Sequence, residues 1–191
     1  MNYTLETSKI ASICVKHGGI IYGAWVRDII VLGKTESNEV MDVIIAPTMM
    51  KKFMGDINML GNSKISVECE GNDYRRITIE TESTIIIISV ICGFDFHNTM
   101  DVTFLCNLFY LDNETVLGIR YVPEALKKYD NPIHEAIKMT KEKRIVLCDV
   151  DNIILPDYML HYAYQLYMED WKFDANMFRI DLVCEENECA I

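Results

Sequence analysis

The stretch IIYGAWVRDIIVLG, residues 20–33, ends one apolar run, turns at Gly23, sets Arg27 beside Asp28 and stops at Gly33. A strand that turns at a glycine into a helix is suited to holding phosphate. The first backbone N–H groups of a helix have no internal partner and carry partial positive charge. Gly23 lets a ligand come close to the backbone, with Ala24 as the next residue of the turn. The two charges that follow sit in so apolar a setting that each needs a partner.

Other groupings support less chemistry. Cys69, Cys92, Cys106, His97 and His134 could be gathered as zinc ligands, but no C-x-x-C or H-x-x-x-H pair exists. Cys14 and His17 could form a nucleophile and base, yet nothing supplies an oxyanion hole. Lys127, Lys128, Lys138, Lys141, Lys143 and Arg144 are interleaved with Glu124, Glu135 and Glu142, as on a solvated helix face. Tyr158, Tyr162, Tyr164, Tyr167 and Trp171 could stack bases. Their spacing encircles a helix, which instead points to a core or to a protein interface, including self-association.

Composition narrows the choices. The chain has 191 residues, half of them apolar and a quarter charged, the balance of a folded protein with one real core. With 18 basic against 29 acidic residues the net charge is −11, which weighs against RNA as a main partner because phosphate neutralisation supplies most of that affinity. A nucleoside triphosphate held by a few local groups is compatible with it. Seven cysteines, an odd number lying mostly in apolar runs, fit a reducing compartment. The N-terminus does not read as a signal peptide, and IIIISVICGF is too short to span a bilayer. An intracellular, cytoplasmic protein without membrane contact is expected.

The pattern of elements predicts an α+β fold. Residues 4–17 have helical spacing, Ile20–Tyr22 is strand-like, and a second helix runs from Gly23 to Leu32. VMDVIIA is a buried strand closed by Pro47, and residues 48–60 return to helical spacing. KISVEC, YRRITIE and TIIIISVIC are strands, and MDVTFLCNLFYL is a fifth strand-like run beyond the loop GFDFHNT. After about residue 120 helices are expected at EALKKY, at IHEAIKMTKEKR and at YMLHYAYQLYMEDW, the last capped by Asp157. The result is a mixed sheet with helices packed on it over residues 1–120, followed by a short helical region over 121–191.

YGAWVRDIIVLG followed by VMDVIIA resembles the opening of the tRNA nucleotidyltransferase and poly(A) polymerase head domain. That pattern is G-G-x-V-R-D-x-h-h-G, a loop, then D-h-D on a strand. Trp25, Val26, Arg27, Asp28 and Gly33 match it with one extra residue before the second glycine. MDVTFLCNLFYLDNE is similar to the later D-F-T-x-N-x-L strand, with Asp101, Asn107, Leu108 and Tyr110 near the expected places. The stretch YQLYMEDWKF also resembles the tail of nucleotidyltransferase-like proteins of large DNA viruses, which would place the protein in host cytoplasm or a virion.

The resemblance implies Gly23, Ala24, Arg27 and Asp28 at a nucleotide cleft, and Asp42 and Asp101 as catalytic carboxylates holding Mg²⁺ or Mn²⁺. Arg27 and Asp28 would brace the carboxylate strand, touch phosphate, or act only as an ion pair that fixes helix to sheet. Residues i and i+2 share a face of a strand, so the D-x-D spacing fails here: Asp42 is flanked at that distance by Val40 and Ile44. Thr103 stands beside Asp101 in the same way. Glu39, Glu68, Glu70, Glu80 and Asp95 are the acids that could move in. Two functions follow: a catalytically silent protein that binds a nucleotide or a protein, or an active metal-dependent nucleotidyltransferase adding a nucleoside monophosphate to RNA or another acceptor.

Overall fold

The computed structural model describes residues 3–35, 40–60, 64–70, 74–80, 85–92, 104–113, 117–148 and 157–173. Helix α1 (Tyr3–Lys16) leads into strand β1 (Ile20–Tyr22), helix α2 (Ala24–Val26) and strand β2 (Met41–Ile45). Helix α3 (Pro47–Asn58) precedes three long strands, β3 (Lys64–Glu70), β4 (Tyr74–Glu80) and β5 (Ile85–Cys92). Strands β6 (Phe109–Leu111) and β7 (Gly118–Ile119), helix α4 (Pro132–Lys141), strand β8 (Arg144–Ile145), helix α5 (Asp157–Met168) and strand β9 (Lys172–Phe173) complete the order.

Seven strands form one mixed sheet in the order β3-β4-β5-β2-β1-β6-β7. β2 and β5 run parallel, and the other neighbours are antiparallel. The alternation of side chains along β2 sets the two faces. Met41, Val43 and Ile45 are buried on the face covered by helices, while Asp42 and Ile44 point to the other. The covered face draws on regularly spaced apolar residues: Ile10 and Cys14 from α1, and Met50, Phe53 and Ile57 from α3. Burial pushes the Cys14 thiol up to about 12, so it serves as a small hydrophobe. Pro47 does not merely close β2; it occupies the first turn of α3, where its missing N–H costs nothing. At the C-terminal end of α1, Lys16 and His17 both reach Asp56 Oδ2 of α3, at 2.7 and 2.9 Å.

The second helix departs from regularity where the sequence carries its extra residue. α2 gives way to a π-helical turn over Arg27–Val31, and Leu32 N–H donates to Arg27 C=O at 2.9 Å, five residues back. A wider turn takes up one additional residue without reversing the helix. The expected continuous strand over 100–111 is also interrupted. Phe104 makes an isolated bridge to Leu147 and Leu105–Asn107 form a 3₁₀ turn, so that among the described residues of this run Phe109–Leu111 are the part in the sheet. Residues 100–103 lie outside the described residues, as do the loop GFDFHNT and residues 174–191.

Of the three helices expected after residue 120, two form and one falls short among the described residues. EALKKY supplies only a 3₁₀ turn at Glu124–Leu126, because its single buried apolar anchor, Leu126, cannot hold a longer amphipathic stripe. Asn131 caps α4, its side chain accepting from His134 N–H at 3.1 Å. Asp157 is the first residue of α5 rather than the cap before it. Leu126, Ala136, Met139, Val146 and Cys148 join the sheet's own core, whereas Ala163, Leu166 and Trp171 form a second cluster with Phe104, Cys106, Ile145 and Leu147.

Phe53 is fully buried between α3 and the sheet. Phe53→Ala is expected to destabilise by about 3–5 kcal/mol through lost transfer energy and a cavity. Met59→Ala, at a side chain 82% exposed, stays within about 0.5 kcal/mol. Urea unfolding of both variants checks the contrast.

Candidate functional site

The open face of the sheet holds a row of polar side chains centred on β2. Register pairs Tyr22 with Asp42, Asp42 with Ser89, Ser89 with Arg76 and Arg76 with Glu68, and Tyr110 stands beyond Tyr22. Asp42 is half-buried here. Burial, then the charges of Asp42 and Tyr74, hold the Tyr22 phenol above its usual range, so it stays a neutral hydroxyl. Gly23 lies at φ +81, a left-handed conformation that favours glycine, and a Cβ there would sit 3.6 Å from Asp42 Oδ2. The structure therefore brings the glycine turn and Asp42 together. The Gly23 N–H, however, donates to Phe109 C=O at 3.0 Å and is spent on the sheet.

The other member of a D-x-D pair would occupy position 40, where Val40 stands half-buried, or position 44. Ile44 stands there, 4% exposed and packed with Tyr22, Ile91 and Tyr110. Glu68 shares Asp42's row but is three strands away, about 14 Å at the usual strand spacing. Paired catalytic metals lie about 3.5–4 Å apart, so Glu68 cannot share an ion with Asp42. Glu80 sits farther along β4, two residues beyond Thr78 and four beyond Arg76. No group of three His, Cys, Asp or Glu side chains able to hold a metal ion occurs among the described residues. Asp101, Thr103, Glu39 and Asp95 lie outside the described residues. The described side chains do not fit a two-metal centre.

Arg27 and Asp28 are placed otherwise than at that face. Both are buried, at 1% and 3% exposure. Arg27 Nε donates to Asp28 Oδ1 at 2.7 Å, and an Arg27 terminal nitrogen donates to Asn107 Oδ1 at 3.4 Å and to the Tyr162 hydroxyl. The guanidinium carbon lies 5.5 Å from the centre of the Trp171 ring. Tyr162 O–H in turn donates to Asn107 Oδ1 at 3.1 Å. Lys34 Nζ reaches the other Asp28 oxygen at 3.1 Å and Glu169 at 3.7 Å. Burial pushes the Asp28 carboxyl up, but the hydrogen bond and charge of Arg27, aided by Lys34, leave it below the ordinary range. Burial works against the Arg27 charge as well and is outweighed by Cys106, Tyr162 and Asp28.

The pair is anchored by side chains from other parts of the chain, Asn107, Tyr162, Trp171 and Lys34. It ties the π-helical turn to α5 and the segment after it, more than to the sheet. Asn107, Tyr162 and Trp171 escaped sequence reasoning as partners of Arg27. The available signal was that an arginine inside an apolar run must find acceptors and a ring elsewhere in the chain.

The mixed sheet and its helices define a nucleotidyltransferase-like fold. Among solved structures the chain is similar to a CCA-adding enzyme in complex with CTP, at 12% identity and TM-score 0.54, covering 91% of this chain and 38% of that one. It is also similar to a CCA-adding enzyme in complex with ATP, at 14% identity and TM-score 0.53, covering 88% and 39%. The chain thus spans about two-fifths of the length of these enzymes, and the likeness is one of fold. No family model and no curated protein matches the sequence. No helix among the described residues is long and apolar enough to cross a membrane.

Asp28→Asn keeps the shape of the buried pair and removes the charge facing Arg27, with an expected cost of about 3–5 kcal/mol. A carboxyl held low in the folded state contributes stability above its ordinary value of 3.8 and loses it as pH falls through the folded value. The gap in unfolding free energy between the native chain and Asp28→Asn should therefore be constant near neutrality and shrink below that pH. Urea titrations across the acid range measure it.

Proposed function

We propose that the protein is a catalytically silent member of the nucleotidyltransferase-like fold, kept for binding a nucleoside triphosphate at its Asp42 face or a protein partner. The observation that carries this reading is Ile44. It shares the face of Asp42, two residues along the strand, and its branched alkyl group is packed against Tyr22. Hard divalent cations require oxygen ligands, and an alkyl group offers none. Metals are the main stabilisers of charge in a phosphoryl-transfer transition state. Loss of one such electrostatic group costs about 10² to 10³ in rate.

Two features support binding. The CTP and ATP carried by the similar solved structures make a nucleoside triphosphate the first ligand to test. Helix α5 supports a protein contact: Ala163 and Leu166 are buried with Phe104, Cys106, Ile145 and Leu147, while Leu160, Tyr164, Tyr167 and Met168 are exposed, from 43% to 65%. A row of apolar and aromatic side chains on one helix face is what an interface core uses.

The protein incubated with each labelled nucleoside triphosphate, Mg²⁺ or Mn²⁺, and RNA or protein acceptors is expected to incorporate no more label than Asp42→Ala. Incorporation that Asp42→Ala abolishes would refute silence. Nucleotide binding itself is read by thermal unfolding. ATP at a hundredfold excess over its Kd should raise the midpoint by about 5–10 °C, and no shift would assign the retained fold to protein binding.

A further inference from the structure

β3 ends the seven-stranded sheet, and among the described residues nothing pairs with its outer edge. A row of unpaired N–H and C=O groups is a template for another strand. At seven residues, without Pro or Gly, β3 is long for an exposed edge. Lys64, Ser66 and Glu68 lie on the open face of the sheet, and Ile65 and Val67 lie on the face toward the helices. Charged residues usually blunt such an edge. Here their placement is symmetric about Ser66.

We propose that two copies of this chain join through β3, antiparallel about a two-fold axis at Ser66, into one continuous sheet. In that register Lys64 faces the partner subunit's Glu68, Ile65 faces the partner subunit's Val67, and Ser66 faces the partner subunit's Ser66. The rows set by β4 continue each match across the junction, since β4 places Glu80 beside Lys64, Ile79 beside Ile65, Thr78 beside Ser66, Ile77 beside Val67 and Arg76 beside Glu68.

One row reads Glu80, Lys64, the partner subunit's Glu68, the partner subunit's Arg76, with charge alternating at every step. Lys64 already reaches Glu80 at 3.5 Å while 79% of its side chain stays exposed, so it can bridge both acids. The next row is apolar throughout: Ile79, Ile65, the partner subunit's Val67 and the partner subunit's Ile77. It covers Val67, which is 42% exposed in the single chain. Between them runs a row of hydroxyls from Thr78 and Ser66 of both copies. An axis at Val67 would set Ser66 opposite a glutamate, and one at Ile65 would set Lys64 opposite a serine. A slip of one residue would put charged side chains on the apolar face. Directly opposed pairs of opposite charge or of β-branched residues stabilise a sheet, and opposed like charges weaken it.

Sedimentation velocity of the native chain over a wide concentration range is expected to show a reversible monomer–dimer equilibrium. Lys64→Glu sets two pairs of glutamates face to face and should weaken the dimer about tenfold. Lys64→Glu combined with Glu68→Lys restores opposite charges in both pairs and should recover the native dissociation constant. Tyr164→Arg, on the exposed face of α5, should leave it unchanged. All three substituted side chains, Lys64, Glu68 and Tyr164, are exposed, and unchanged thermal unfolding at concentrations where the chain is monomeric verifies their folding. A strict monomer at every concentration would overturn the proposal. So would a dimer insensitive to Lys64→Glu, weakened by Tyr164→Arg, or not recovered by the charge swap.

Discussion

A buried arginine is the constraint on which the arrangement of this molecule turns. Arg27 is taken wholly out of water on a turn of π-helix, and a cation in that position is tolerable only if its donors are satisfied. One satisfying group is the neighbour in sequence, Asp28. The others come from Asn107, eighty residues on, and from Tyr162 and Trp171 beyond it. The demand of one side chain therefore holds three distant segments to a single geometry. Phe104 and Tyr162, whose rings lie 5.4 Å apart, add apolar packing beside the same charge.

That arrangement separates two parts of the resembled motif. The Arg-Asp pair works at the junction with α5, while Gly23 and Asp42 meet on the open face of the sheet. The face retains a polar row, yet its position 44 is filled by an isoleucine that contributes to a small apolar cluster with Tyr22. Burial of that side chain stabilises the sheet locally through the same atoms that deprive a cation of ligands. The core on the other face, from Met41, Val43 and Ile45 to α1 and α3, is a separate cluster.

The sheet's two sides and its edge follow different rules. On the covered side Ile, Val, Met and Phe supply most of the packing, with Arg75 bonded to Cys69 toward one end. On the open side the cross-strand neighbours are chemically matched, Lys64 beside Glu80 and Glu68 beside Arg76. The symmetric placement of charge about Ser66 at the edge extends that matching outward.

Much of this was legible in the chain. Period-two and helical spacing locate β1 to β5, α1, α3, α4 and α5, because those elements bury one face and the burial is written into the order of residue types. That Asp42 and Ile44 share a face was also readable, since alternation along a strand is a local property. Tertiary structure alone decided the rest. The break at Leu105–Asn107, the parallel pair β8 and β9, and the partners of Arg27 all depend on contacts between residues far apart in sequence, whose types say what they need and not where they will find it.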